Sequence, residues 1–176
     1  MKYIDEIIRS TEMLAKETNT VWLGQSVTYP GNVIYKTLSC VPNHRKIELP
    51  VFEDTQMGMS IGLAMAGFVP ISVFPRFNFL LLAVNQLVNH LDKIPHISHN
   101  EWQPKVIIKT MVGSKRPLYP GIQHCADYTD AFKSMLEYVH IERLDEAEQV
   151  YPAYENAIKR KGSTILVEVG DAYSEK

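Results

Sequence analysis

The sequence contains two side chains whose types and surroundings suit catalysis, Glu53 and His124. Glu53 stands just before an apolar helix of small residues, which continues through one turn into the predicted strand 71–74. Burial disfavours the charged form of a carboxylate, so an acid at the mouth of a buried element needs a partner or a chemical role. The alternative is an acid that interacts with the dipole at a helix start. From this residue alone, both interpretations are open.

His124 lies in the predicted loop 111–127, which contains glycine and proline. A polar residue in a loop has little packing reason to be there, so His124 is a candidate acid, base or substrate contact. The adjacent Cys125 suggests a thiol nucleophile, but neighbours in a chain usually point apart, which makes this the weaker hypothesis.

A second group of polar residues has the composition of a metal site but not its spacing. It consists of His90, Asp92, His96 and His99. The spacing matches no established zinc pattern, and no cysteine accompanies it. We interpret this group as a solvated helix end and predict no metal ligand in the chain.

The elements that must position these residues alternate between helices and strands. Helices are predicted over 2–18, 33–38, 54–67, 77–93, 128–137 and 145–160, and strands over 21–23, 46–51, 69–74, 105–110, 138–143 and 164–169. Asp54 or Thr55 can cap the third helix, and Gly67 can end it. Alternation of this kind implies a mainly parallel sheet covered on both faces. We therefore predict one domain over 1–176, an α/β three-layer sandwich.

Ligands of open parallel sheets bind beyond the carboxyl ends of the strands. In this sequence those ends carry four segments: 24–26, Glu53, 75–79 and 111–127. A binding site is expected where these segments meet.

The helix that follows Glu53 carries Gly58, Gly62 and Gly67. No Gly-Lys-Ser/Thr accompanies them, and they lie along a helix and not in a strand-to-helix turn, so they do not form a phosphate loop. Small residues on one helix face let another backbone approach closely. We expect helix 57–67 to form a subunit interface.

Composition excludes several classes of function. The 176 residues carry a formal net charge of −2, which gives no electrostatic attraction for nucleic acid or an anionic membrane. Two cysteines are too few for a disulfide framework. The first residues lack the pattern of a signal peptide, and the longest apolar stretch, 57–74, is broken by three glycines and Pro70. We expect a cytoplasmic protein.

The order of these motifs resembles a known family. The run 50–53, then Gly58, Gly62, 65–67 and Pro70, is similar to the pyrimidine-binding (PYR) domain of thiamine-diphosphate enzymes. The resemblance is strongest to beta subunits of pyruvate and branched-chain 2-oxoacid dehydrogenases, and then to transketolase. It continues through 77–79, Ala83, Gln86, Asn89, Lys93, 123–124 and 165–168, so it spans nearly the whole chain.

The resemblance implies roles for particular residues. Glu53 would hydrogen-bond a ring nitrogen of the cofactor aminopyrimidine and favour the imino tautomer, whose nitrogen removes the thiazolium proton. Phe79 would pack against the pyrimidine, a contact of roughly 1 kcal/mol. Pro75 and Gln25 would also line the cofactor site, and His124 would face the substrate or acyl intermediate.

Several positions depart from the family pattern. Pro75 replaces a methionine, Gln25 and Ser26 replace a pair of acids, Asn85 replaces an aspartate and Cys125 replaces a serine. These departures affect the expected substrate more than the expected cofactor.

The chain also lacks the Gly-Asp-Gly motif that holds Mg²⁺ and the diphosphate in the family, and the carboxy-terminal domain of its longer members. The resemblance therefore implies a PYR subunit of a split enzyme that acts on a 2-oxo acid. A partner subunit would hold the metal and diphosphate in an α2β2 heterotetramer, with self-association through helix 57–67. Alternatives are a transketolase-like ketol or aldehyde transferase subunit, and a non-catalytic interaction subunit that keeps the fold.

Overall fold

The computed structural model describes residues 1–116 and 118–174; Pro117, in the predicted loop 111–127, and residues 175–176 lie outside it. The helices are α1 (Tyr3–Lys16), α2 (Val33–Thr37), α3 (Glu53–Met65), α4 (Phe77–Leu80), α5 (Ile94–Ile97), α6 (Thr129–Met135) and α7 (Ala147–Lys159). The strands are β1 (Thr20–Gly24), β2 (Lys46–Glu48), β3 (Val69–Val73), β4 (Ile107–Val112), β5 (His140–Leu144) and β6 (Thr164–Val169). Short 3-10 segments cover Asn43–Arg45, Leu81–Ala83, Ile122–His124 and Gly170–Ser174, and a π-helix covers Gln86–Leu91.

The six strands form one sheet in the order β2-β1-β3-β4-β6-β5, and every neighbouring pair is parallel. All carboxyl ends therefore meet at one edge of the sheet. Helices cover both faces, so the predicted α/β three-layer architecture is confirmed.

The two faces of the sheet bury separate apolar clusters. Consecutive residues of a strand pack into opposite clusters. Ile107 and Leu166 pack on the face covered by α1 and α7. Ile108 and Ile165 pack on the face covered by α3, α6 and the helical segment after β3. This alternation explains why the central strands read as continuous apolar runs.

Several predicted boundaries differ from the structure. Helix α3 begins at Glu53 and its N-cap is Phe52, so the prediction of an Asp54 or Thr55 cap is wrong. The amide of Phe52 bonds the carbonyl of Pro50 at 2.8 Å, and this tight turn starts the helix earlier. Gly67 does end the helical segment, with φ +91°.

The predicted helix 77–93 is helical through residue 91 but changes its winding, from α to 3-10 to π. Asp92, directly after the π-helix, accepts backbone N–H bonds from Glu137, Tyr138 and Val139. Strand β2 stops at Glu48, three residues before its predicted end; Leu49 still bonds the carbonyl of Gly24, but Pro50 has no N–H to continue the ladder.

A buried ion pair joins β4 to β6. The Lys109 ammonium lies 2.5 and 2.6 Å from the two carboxylate oxygens of Glu168. Tyr154 donates to the same carboxylate at 2.6 Å, and Tyr173 also donates to it. Burial lowers the pKa of Lys109, and the Glu168 carboxylate opposes that shift. The pair is therefore stable only as a complete network.

Among the described residues, no helix is both long and apolar enough to cross a membrane.

Replacing Lys109 with methionine should lower the free energy of unfolding by about 3–5 kcal/mol, because it leaves Glu168 buried without its cation. The double variant Lys109→Met, Glu168→Leu should lose less than the sum of the two single variants. Urea unfolding of all three measures the coupling. The exposed pair Lys159–Glu155 is the control, and Lys159→Met should cost about 1 kcal/mol or less. Additive effects at Lys109 and Glu168 would show that the pair contributes nothing as a pair.

Candidate functional site

Glu53 occupies the first position of α3, at the carboxyl edge of the sheet. Only 4% of the residue is exposed, so its carboxylate is largely removed from water. The Gln25 side-chain amide, directly after β1, donates to Oε1 of Glu53 at 3.1 Å. This is the one hydrogen bond that the described residues give to the carboxylate side chain, and it leaves Oε2 without a protein donor.

The position of Glu53 depends on Gln56, one turn further along α3. The buried Gln56 side-chain nitrogen donates to Ser72 Oγ at 3.1 Å and to the carbonyl of Val73 at 3.0 Å. These bonds fix the first turn of α3 to the last residues of β3. Within the described chain, the Gln56 Oε1 atom is buried and has no hydrogen-bond partner.

Gly24 makes this close arrangement possible. Its φ is +140°, and a Cβ at this position would overlap the carbonyl oxygen of Val73 and lie 2.9 Å from the Gln56 side-chain nitrogen. Only glycine lets the end of β1 approach β3 and α3 this closely. Gln25 follows directly, and this geometry delivers its amide to Glu53.

A second polar group lies beyond β3 and β4. Nδ1 of His124 is 3.3 Å from the side-chain oxygen of Asn78, a geometry that suits an Nδ1–H donor and leaves Nε2 free. The rings of His124 and Phe79 meet edge to face, with centroids 5.7 Å apart. Both residues are half-buried, so a face of this pair is accessible to a ligand.

The loop that carries His124 is tied to neighbouring segments. The Arg76 guanidinium donates to the carbonyl of Gly113 at 2.6 Å, which joins the segment after β3 to the loop after β4. Backbone amides of Lys115 and Arg116 both donate to Oδ1 of Asp171, at 2.7 and 3.1 Å. The carboxyl end of β6 therefore supports the loop as well.

The four predicted segments thus lie at one edge of the sheet. The structure brings Gln25 to Glu53, and Phe79 to His124, while no hydrogen bond between described residues joins the two pairs. Pro75 is half-buried and lies two residues after the end of β3. In the sequence it falls between Glu53 and Phe79. The Cys125 sulfur makes a 4.0 Å contact with the carbonyl of Ser114.

Sequence reasoning missed Gln56, Ser72 and the pairing of Asn78 with His124. One signal was available, because Gln56 is three residues after Glu53 and so shares its helix face. The other two contacts join residues far apart in the sequence.

The His90–His99 segment does not assemble as a cluster. Asp92 is engaged by backbone amides and by Lys93, and Nδ1 of His96 lies 3.1 Å from the Tyr138 hydroxyl. Within residues 1–116 and 118–174, no group of three or more His, Cys, Asp or Glu side chains is placed to hold a metal ion.

The buried Glu53 and the Phe79–His124 pair beyond it lie at the carboxyl edge of a parallel α/β sheet, which is where open sheets of this class bind ligands. The chain also has the fold of a split gene transketolase, seen in an inactive beta4 tetramer. The TM-score is 0.71 at 16% identity, over 96% of this chain and 51% of that one.

Sequence comparison leads to a second group of proteins. The 2-oxoisovalerate dehydrogenase subunit beta of Bacillus subtilis (strain 168) is 29% identical over 117 residues, covering 64% of this chain and 36% of the relative. The pyruvate dehydrogenase E1 component subunit beta of Cyanidium caldarium is 27% identical over 140 residues, covering 77% and 42%. The chain therefore spans less than half the length of these relatives. No family model matches it.

These comparisons confirm the resemblance to the PYR domain found in 2-oxoacid dehydrogenase beta subunits and transketolase.

Gly24→Ala should destabilise the protein more than Gly67→Ala. Both residues have positive φ, which costs a non-glycine residue about 1–3 kcal/mol. Only at Gly24 does the new methyl group also meet backbone, which adds overpacking of about 1–3 kcal/mol; a Cβ at Gly67 meets nothing within 4 Å. Urea unfolding of both variants provides the comparison, and equal losses would show that the Gly24–Val73 approach is not required.

Proposed function

We propose that this chain is the PYR subunit of a split thiamine-diphosphate enzyme that acts on a 2-oxo acid. The observation that carries the proposal is the buried Glu53 carboxylate, with one oxygen held by Gln25 and the other without a protein donor. Sequence similarity to two kinds of 2-oxoacid dehydrogenase beta subunit supports this choice of substrate class.

The residues at this edge fit the cofactor's aminopyrimidine. A nearly dry carboxylate matches a ring nitrogen that carries a proton, and the accessible Phe79 ring offers a surface on which a planar ring can pack. When bound, thiamine diphosphate supplies a carbon nucleophile for the substrate carbonyl and an electron sink.

The chain's own residues would orient the cofactor and manage protons. Glu53 would share a proton at its free oxygen, while Gln25 and Gln56 hold it in position. His124, whose Nδ1 lies 3.3 Å from the Asn78 side-chain oxygen, would present Nε2 to the substrate side as a hydrogen-bond or proton acceptor. Pro75 would form part of the wall around the ring.

We further propose that a partner subunit holds the diphosphate and Mg²⁺. The one Gly-Asp in the sequence is Gly170-Asp171, and no Gly-Asp-Gly occurs. In the structure, the Asp171 carboxylate accepts two backbone N–H bonds from the loop after β4, so it has a structural use. The similarity to proteins named as beta subunits supports a division of the cofactor site between two polypeptides.

Helix α3 has features of an interface in that assembly. A Cβ at Gly62 would meet nothing within 4 Å, so the chain's own packing does not require glycine there. Apolar side chains are also exposed along α3, at Met59 and Met65 and at the N-cap Phe52. These observations support self-association through helix 57–67 in an α2β2 assembly.

Glu53→Gln should reduce thiamine-diphosphate-dependent turnover of a 2-oxo acid by about 10²–10⁴-fold, the usual contribution of a positioned acid or base. The assay uses this chain co-expressed with a chain that is encoded next to it and contains Gly-Asp-Gly, with Mg²⁺ present. Asp54→Asn is the matched control, because Asp54 is the adjacent acid and is exposed.

Asp54→Asn should retain turnover. Unchanged turnover in Glu53→Gln would overturn the catalytic assignment, and turnover by this chain without a partner would overturn the split site. A complex that converts ketoses but not 2-oxo acids would favour the transferase function.

Gly62→Leu should leave the isolated chain folded but weaken its assembly. The side chain enters open space within one subunit, and leucine has a helix propensity better than that of glycine by nearly 1 kcal/mol. In a close helix-to-helix interface the same side chain would block approach. Analytical ultracentrifugation measures assembly and urea unfolding measures stability; unchanged assembly would place the interface elsewhere.

A further inference from the structure

The edge of the sheet opposite the candidate functional site carries two adjoining clefts. The first, about 350 Å³, lies between the start of β5 and the last turns of α7, and Glu142, Asn156 and Thr164 contribute to its wall. The second, about 390 Å³, adjoins it and is lined by residues that include Lys133 and Lys161. His140 and Arg160 line both clefts. We call the two together the amino-end cleft.

The charges around this cleft do not cancel. Lys159 pairs with Glu155 at 3.0 Å, and Glu137 pairs with Lys93 at 3.1 Å, so these acids are engaged. Arg160 and Lys161 have no ion-pair partner within the described part of the chain. An excess of positive charge therefore faces the second cleft, although the whole chain has a formal charge of −2.

Cations near a helix end can simply interact with the helix dipole. Lys159 is the basic residue in the last turn of α7 and suits that explanation. Arg160 has an extended backbone, with ψ 156°, so it already leaves the helix axis. Lys161 follows it into the turn before β6. The dipole therefore accounts for Lys159 better than for the two cations that follow.

Thr164 and His140 are two further polar groups in the cleft. Thr164 is 2% exposed, and its hydroxyl has no hydrogen-bond partner among described residues. The His140 ring lies 3.6 Å from Glu142 and lines both clefts together with Arg160. Burial lowers the pKa of His140, the positive charge of Arg160 lowers it further, and Glu142 opposes both. An anion bound here would relieve the repulsion between His140 and Arg160.

We propose that the amino-end cleft binds the phosphate group of a small molecule, held mainly by Arg160 and Lys161. The planar guanidinium group of arginine and the ammonium group of lysine are the usual ligands of phosphate oxygens. Glu142 and Asn156, in the adjoining cleft, would accept or donate hydrogen bonds to hydroxyl groups of a phosphate ester. The site is independent of the proposed catalytic function, since it lies at the opposite ends of the strands.

The experiment follows the His140 imidazole by NMR during pH titration of the full chain. Inorganic phosphate and glycerol 1-phosphate are the two probes, with sodium chloride at equal ionic strength as the reference. His140→Gln identifies the signal, and the exposed His44, which precedes β2 at the far side of the sheet from β5, is the internal control. A phosphate within about 4–6 Å should raise the pKa of His140 by about one unit.

Arg160→Gln with Lys161→Gln should abolish that rise. The matched double variant Lys16→Gln with Lys36→Gln removes two exposed charges from the last turns of other helices and should keep it. Circular dichroism should show that both double variants are folded. A response to both probes identifies the phosphate group as the ligand, and a larger response to the ester assigns a role to the adjoining cleft.

The proposal is wrong if neither probe moves the His140 signal more than sodium chloride does. It is also wrong if the Arg160 and Lys161 double variant responds like the native chain.

Discussion

The hydrogen bonds from the Gln56 amide to Ser72 and Val73 set the geometry on which the candidate site depends. They fix the first turn of α3 against the end of β3, and that turn carries Glu53. The same region needs the close approach of Gly24, since a side chain there would displace both backbone and amide. A shift of α3 would break the hydrogen bonds of the buried Gln56 nitrogen, and an unpaired buried amide costs free energy. These bonds therefore favour one position of the helix.

A second buried network, on the other half of the sheet, also positions part of the candidate site. Lys109 and Glu168 join β4 to β6, and Tyr173 ties the final 3-10 segment to the pair. That segment carries Asp171, which holds the backbone of the loop after β4. The loop leads to His124. One network thus positions the acid and the other supports the loop that carries the histidine, so the two halves of the site have separate structural origins.

The sequence was sufficient to predict the architecture, because its strand patterns are strong. Consecutive apolar β-branched residues such as Ile107 and Ile108 are typical of a strand covered on both faces, and the alternation of elements then implies a parallel sheet. Ligands of open parallel sheets bind beyond the carboxyl ends of the strands, and this rule alone predicts that Gln25 and Glu53 share one site. Their hydrogen bond agrees with that prediction. Local pattern also found Gly67 as the end of α3, since positive φ favours glycine.

Other features depend on contacts that no local pattern reports. Gln56 looks like an ordinary helix residue until Ser72 and Val73 are placed beneath it. Asp92, directly after the π-helix, accepts hydrogen bonds from backbone amides of residues 137–139, which are about 45 positions away in the sequence. Lys109 reads as a charge that interrupts a buried strand, and only the pairing of β4 with β6 shows its partner. Tertiary partners decide all three cases.

The choice of Gln25 beside Glu53 has a consequence for the site. A second acid at this position would place two like charges in a setting with little water, where their repulsion is strong. The Gln25 amide instead satisfies one oxygen of Glu53 and adds no charge. Among the described residues, no other carboxylate is hydrogen-bonded to Gln25 or Glu53, and the second oxygen of Glu53 has no competing protein donor. The departure from the family pattern at residue 25 therefore simplifies the electrostatics of the site without removing the group on which the proposed chemistry depends.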